Sequence, residues 1–150
     1  MKHNGWVHYE LKDKEGRVKD VRDIPNLIVN SGKAAMAGLL LLDVSVDAFD
    51  WIALGTGTTS PVGTDTALES EITTNGGERK AAVGTRVTTT VTNDTSQLEA
   101  EFTFTGSLAI TESGVFNASS NGVMLCRQVF SVINVESGDT LTMNWKISHS

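Results

Sequence analysis

Two segments of the chain alternate strictly between apolar and polar residues, which is the pattern of a β-strand with one buried face. They span residues 97–105 and 140–147. The apolar positions are Leu98, Ala100, Phe102 and Phe104 in the first segment and Leu141, Met143, Trp145 and Ile147 in the second. Strands that face a core on one side and water on the other belong to antiparallel sheets. This alternation therefore predicts a mainly β, antiparallel fold.

The first half of the chain adds a hairpin and two helices to this sheet. Residues 6–12 and 17–22 flank a Gly16 turn and predict an N-terminal β-hairpin. Residues 33–42 predict a helix that is apolar nearly all round, so we expect it to be buried on more than one side. The spacing of Thr66 and Glu69 matches a capping box and predicts a second, short helix.

Three further segments complete the expected sheet. Strands are predicted at residues 49–54, 80–92 and 123–133. The last of these is apolar on both faces, which places it either in the centre of the body or under another subunit. The natural packing is an antiparallel β-sandwich of jelly-roll type, with residues 1–23 as a hairpin arm and residues 24–150 as the body.

Charge and composition exclude several classes of protein. Residues 1–23 hold six basic and five acidic residues, whereas the remainder holds six basic and thirteen acidic ones. An acidic body argues against a nucleic-acid partner. No apolar run approaches the length that a bilayer requires, and no secretory leader is visible. Cys126 is the only cysteine, so we expect a buried thiol and no internal disulfide.

The motifs that bear on chemistry are each incomplete. The run GTGTT at residues 55–59 lacks the lysine of a phosphate loop. Residues 112–114 lack the glycine that a nucleophile elbow needs two positions before the serine. The three histidines have no metal-ligand spacing. We therefore expect no catalytic, cofactor-binding or metal-binding residues, and no enzymatic activity.

The hairpin supplies the candidate interface residues, which are Trp6, Tyr9, Arg17 and Arg22. Aromatic anchors surrounded by charged residues are typical of protein interfaces. Because the apolar face of the hairpin looks thin, we expect both aromatic side chains to be exposed and the hairpin to serve assembly. The alternative is that Trp6 packs on its own domain.

Four motifs also resemble a family. They read NLIVNSGKAAMAGLLLL from residue 26, IALGTGTTSPVGTDTALESEI from residue 52, ESGVFNA from residue 112 and DTLTMNWKI from residue 139. The pattern resembles small structural proteins of tailed-bacteriophage virions, which include capsid decoration proteins and modules of tail tips and fibres. The resemblance implies a virion protein that binds the shell as a homotrimer, with the major capsid protein or tail proteins as partners and no membrane or nucleic acid. The alternative that it leaves open is a tail module that recognises a host receptor through loops 55–65 and 117–122.

Overall fold

The computed structural model describes residues 4–149, which form nine β-strands and one α-helix. The strands are β1 (Asn4–Lys12), β2 (Val18–Ile28), β3 (Trp51–Gly55), β4 (Lys80–Ala81), β5 (Val83–Val87), β6 (Thr95–Thr103), β7 (Leu108–Phe116), β8 (Met124–Val135) and β9 (Thr140–Ser148). The helix, α1 (Asn30–Leu41), lies between β2 and β3. The predicted mainly β, antiparallel class is confirmed, whereas its description as a jelly-roll sandwich stays a prediction.

All nine strands belong to one sheet, in the order β4-β3-β7-β8-β2-β1-β9-β6-β5. Strand β2 joins the two halves of the sheet, because residues 18–26 pair with β1 while Leu27 and Ile28 pair with β8. The two edge strands, β4 and β5, are separated along the chain by Ala82 alone. The edges therefore lie side by side, and the sheet curls until it is nearly a barrel.

Apolar side chains from alternating positions fill the inside of this sheet. All the inward positions predicted for residues 97–105 and 140–147 are buried, and Trp145 is the largest fully buried side chain. Cys126 is also buried, as expected. The alternation thus predicted both the strands and the faces that they turn to the core.

The N-terminal hairpin is part of the sheet rather than a separate arm. Strand β1 pairs with β2 on one side and, along Asn4–Lys12, with β9 on the other. Val7, Tyr9 and Leu11 are buried in the main core. The expected boundary after residue 23 falls inside the continuous strand β2. The apolar face looked thin because the charged residues of the hairpin dominate its composition, although they lie on the other face.

Helix α1 forms as predicted, but the expectation that it is buried on more than one side is wrong. Its buried residues are Gly32, Ala35 and Gly38. A side chain at Gly32 would collide with the backbone of Leu125 in β8, and a side chain at Gly38 would collide with Val44. Met36 packs partly against the main core, whereas the last turn of the helix is apolar and exposed.

The predicted short helix after residue 65 is absent from the structure. The backbone N–H groups of Glu69 and Ser70 donate instead to the carboxylate of Glu112, and the N–H of Ile72 donates to the carbonyl of Leu54. These groups are then not available for helical hydrogen bonds. The predicted strand at residues 80–92 is likewise shorter, and is divided into β4 and β5.

Contacts within a single chain account for the two apolar faces of strand β8. Residues Met124–Arg127 are all buried: α1 packs on the strand at Leu125, Arg127 pairs with Asp65 of the loop after β3, and the core covers the other side. Farther along the strand, Ser131 and Val132 are exposed. The doubly apolar pattern therefore results from a central position in the body and does not require a second subunit.

Candidate functional site

Two of the four predicted interface residues, Tyr9 and Arg22, pair with each other across strands β1 and β2. Tyr9 is fully buried, and its hydroxyl donates a 3.2 Å hydrogen bond to Oδ2 of Asp20. The Arg22 guanidinium lies 5.4 Å from the centre of the Tyr9 ring and donates to Asp20 and to the carbonyl of Ser131. Burial raises the pKa of Tyr9 above its ordinary value. The prediction that Tyr9 is an exposed anchor is wrong, because its position in β1 faces the core.

The other two residues lie at opposite ends of the hairpin. Trp6 is half-buried and pairs in register with Pro25 of β2. Arg17 is exposed in the turn, where its Nε lies 2.7 Å from Oδ2 of Asp13. Hydrogen bonds from Arg17 lower the pKa of Asp13. The structure therefore brings Tyr9 and Arg22 together, but it does not unite the four residues in one surface.

A charged cluster that the sequence patterns did not predict consists of Asp65, Glu69, Glu112 and Arg127, of which Glu112 and Arg127 are buried. Glu112 of β7 is 0% exposed and Arg127 of β8 is 3% exposed. The Nε of Arg127 lies 2.9 Å from Oε2 of Glu112, and its Nη1 lies 2.8 Å from Oδ2 of Asp65. The β7–β8 register places Glu112 and Arg127 diagonally across the strand pair.

Glu112 also accepts hydrogen bonds from the backbone of the loop that follows β3. Its Oε1 accepts from the N–H groups of Gly57 at 3.0 Å and Ser70 at 2.8 Å, while its Oε2 accepts from Glu69 at 3.1 Å. With Arg127, these donors occupy the roughly four acceptor positions of a carboxylate. Because these positions are occupied, Glu112 holds the loop in place.

Two glycines, Gly55 and Gly57, allow the Glu112 carboxylate to lie close to the backbone. A Cβ at Gly57 would lie 2.6 Å from Oε1 of Glu112, and a Cβ at Gly55 would lie 2.5 Å from the same atom. Neither glycine has a positive φ. The run that invited comparison with a phosphate loop therefore has glycines because a buried carboxylate of its own chain lies against the backbone.

Glu69 completes the fixation of the loop. Its carboxylate accepts from the N–H groups of Thr58 at 2.9 Å and Thr59 at 2.8 Å, and these bonds lower the pKa of Glu69. Burial alone would lower the pKa of Arg127, but Glu112 and Asp65 raise it above the ordinary value. The loop is consequently rigid and carries its charges in fixed places.

An exposed apolar surface lies at the end of α1. Its convex part is the leucine knob, defined as Leu40, Leu41 and Leu42, which are 87%, 75% and 88% exposed. Beside it is the groove, a cavity of about 410 Å³ between α1, β5 and β6. The apolar walls of the groove are Met36, Leu39, Phe49, Leu98, Leu125 and Ile147. Arg86 lies on its β5 wall.

Exposure of the knob to water is unfavourable for a lone chain. Complete burial of a leucine side chain contributes about 1.5–3 kcal/mol, so covering the three residues would contribute roughly 4–8 kcal/mol. Contiguous apolar patches of this kind mark sites of interaction with another molecule. The knob and the groove are thus the surface of the described residues best suited to binding a protein.

Comparisons with protein-family models, curated proteins and solved structures gave no match. Within residues 4–149, no group of three or more His, Cys, Asp or Glu side chains is placed to hold a metal ion. No helix in this described part of the chain is long and apolar enough to cross a membrane.

Proposed function

We propose that this protein is a structural component of a tailed-phage virion, namely a capsid decoration protein that binds and stabilises the shell as a homo-oligomer. The observation that supports this proposal most is the leucine knob beside the apolar groove. Such a surface gains free energy from contact with protein and performs no covalent chemistry. On a shell, many identical contacts of modest strength add up through multivalency.

The rigidity of the loop after β3 also supports a scaffold role. Glu112 and Glu69 together hold the backbone at Gly57, Thr58 and Thr59. A shape that is fixed in the free protein loses little conformational entropy when it binds. The finer fold description belongs to the same proposal: the two halves of the sheet, which meet at β2, correspond to the layers of a jelly-roll sandwich.

The proposed partners are further copies of this chain and the major capsid protein, or tail proteins if the location is the tail. The resemblance implies a trimer, and its implied location is the virion. A formal net charge of −6 opposes attraction to nucleic-acid phosphates, so the proposal includes no nucleic-acid partner. It includes no membrane partner either.

The second candidate is a tail-tip or tail-fibre module that recognises a host receptor through loops 55–65 and 117–122. The rigid form of both loops favours it, since Arg79 donates to the carbonyls of Ala118 at 2.8 Å and Asn121 at 2.9 Å. Neither loop contains an aromatic side chain that stacks on a sugar. We therefore prefer the capsid role.

Electron cryo-microscopy of phage particles tests the proposal. Particles made with the gene and particles made with the gene deleted are compared under the same conditions. Density at regular positions on the shell, present only with the gene, is the expected result. Density confined to the tail tip would favour the second candidate, and equal density everywhere in both samples would refute a virion role.

A further inference from the structure

We infer that the leucine knob of one copy seats in the groove of a second copy, and that the contact is reciprocal, which produces a two-fold dimer. The inference rests on the proposed function, because a decoration protein that acts as a homo-oligomer needs a surface between its copies.

Shape is the first argument. The knob is convex, the groove is concave, and the two lie side by side at the end of α1. A two-fold interface uses the same patch on both subunits, so that patch must complement itself. The groove volume of about 410 Å³ falls within the range of about 300–1,000 Å³ for pockets that enclose a ligand, so it has room for leucine side chains.

Charge is the second argument. Asp43 follows the knob directly, and its N–H donates to the carbonyl of Gly38 in the last turn of α1. Arg86 lies on the wall of the groove. Neither side chain forms a salt bridge with any described residue. When a knob enters the groove of a second copy, Asp43 of one chain and Arg86 of the other supply opposite charges to the same contact.

The buried area favours a two-fold dimer over a three-fold ring. Each leucine offers roughly 100 Å² of apolar surface, so one knob contributes roughly 300 Å² to a contact. A reciprocal dimer makes this contact twice between the same two chains. In a ring, each pair of neighbours shares a single contact and buries half as much.

The backbone of Leu42 is a further observation in favour of a bound knob. Its φ is 55° and its ψ is 32°, the left-handed conformation that favours glycine at the end of a helix. A leucine in this conformation destabilises the lone chain. Because the Leu42 side chain is 88% exposed, its packing in the monomer does not offset this strain. Burial of the side chain in a partner's groove would offset it.

Sedimentation equilibrium of the full chain from 1 to 100 µM tests the inference. We expect the wild-type chain to form dimers whose fraction rises with concentration. Leu41→Glu on the knob should raise the dimer dissociation constant about 30-fold or more, as truncation of a hot-spot residue does. Val18→Glu is the matched control, because Val18 is 54% exposed and lies at the other end of the sheet. This control should leave the dissociation constant unchanged.

A charge exchange tests the pairing of knob and groove directly. Asp43→Arg and Arg86→Asp should each weaken the dimer, and the double variant should restore most of the loss, as interacting residues do in a double-mutant cycle. Far-ultraviolet circular dichroism confirms that each variant is folded. Losses that simply add in the double variant would overturn the pairing of these two residues.

The wild-type result and the Leu41→Glu result together decide the main inference. A dimer that Leu41→Glu leaves unchanged would place the interface elsewhere and overturn the contact between knob and groove. A monomer throughout the concentration range would overturn it, and a trimer would overturn the two-fold geometry in favour of the stoichiometry that the resemblance implies. If the isolated chain is monomeric while particles carry its density on the shell, the inference fails and the proposed function stands. If the chain dimerises through the knob but is absent from particles, the inference stands and the proposed function fails.

Discussion

Replacement of Glu112 with glutamine tests whether one buried carboxylate holds the loop after β3. The amide keeps the size of the side chain but turns N–H groups toward some of the donors that the carboxylate accepted. Arg127, which is 3% exposed, then loses one of its two counter-charges at 2.8 Å and keeps the other, Asp65. Removal of one member of a buried ion pair costs about 3–5 kcal/mol. We expect Glu112→Gln to lower the free energy of unfolding by about this amount.

Urea unfolding followed by far-ultraviolet circular dichroism measures the change. With a typical urea slope of about 1–3 kcal/mol/M, the midpoint should fall by about 1 M or more. Glu101→Gln is the matched control, because Glu101 is exposed on β6 and should change stability by less than about 0.5 kcal/mol. A loss for Glu112→Gln as small as that of the control would show that the loop does not depend on this carboxylate.

Three further predictions concern other parts of the fold. Deletion of residues 1–23 should prevent folding, because the core then lacks Val7, Tyr9 and Leu11 of β1. A native β spectrum of the truncated chain in far-ultraviolet circular dichroism would contradict this. Gly32→Ala should cost about 1–3 kcal/mol in urea melts because its Cβ meets the Leu125 backbone, whereas Gly84→Ala, whose Cβ lies 3.7 Å from Leu98, should cost less. Hydrogen bonds from the backbone of Val91, Thr89 and Thr90 lower the pKa of Asp94 in the folded chain, so its contribution to stability is full above about pH 4 and is lost as the pH falls toward the folded value. Stability measured from about pH 5 to pH 2 should therefore fall less steeply for Asp94→Asn than for the wild type, and equal slopes would exclude this role.

Period-two alternation predicted the core accurately because a strand fixes which residues share a face. Leu98 to Phe104 and Leu141 to Ile147 face inward as expected. The same rule applied to β1 would have placed Tyr9 inside, since Val7, Tyr9 and Leu11 alternate with His8 and Glu10. The charged composition of the hairpin instead suggested that Tyr9 is exposed. The burial of Tyr9 shows that the alternation of apolar and polar residues predicts its position better.

The parts that sequence analysis missed depend on contacts between distant segments. The capping-box spacing of Thr66 and Glu69 predicts a helix, but Glu112 lies 43 residues beyond Glu69 and captures the same backbone N–H groups. The signal for the cluster was present: Glu112 and Arg127 are the only charged residues of β7 and β8, and buried charges are paired. For α1, an apolar composition cannot indicate whether the chain has a second layer to cover the helix.

The near closure of the sheet limits how this protein can join other chains. The edge strands are short, with two residues in β4 and five in β5, and they lie next to each other. A strand from another molecule finds no long row of free backbone groups to extend, so uncontrolled growth by strand addition is suppressed. Association must then use side chains, and its geometry is set by a few residues that single substitutions can remove. Many copies of such a protein can therefore be present at high concentration and still assemble only on a surface that is complementary to these side chains.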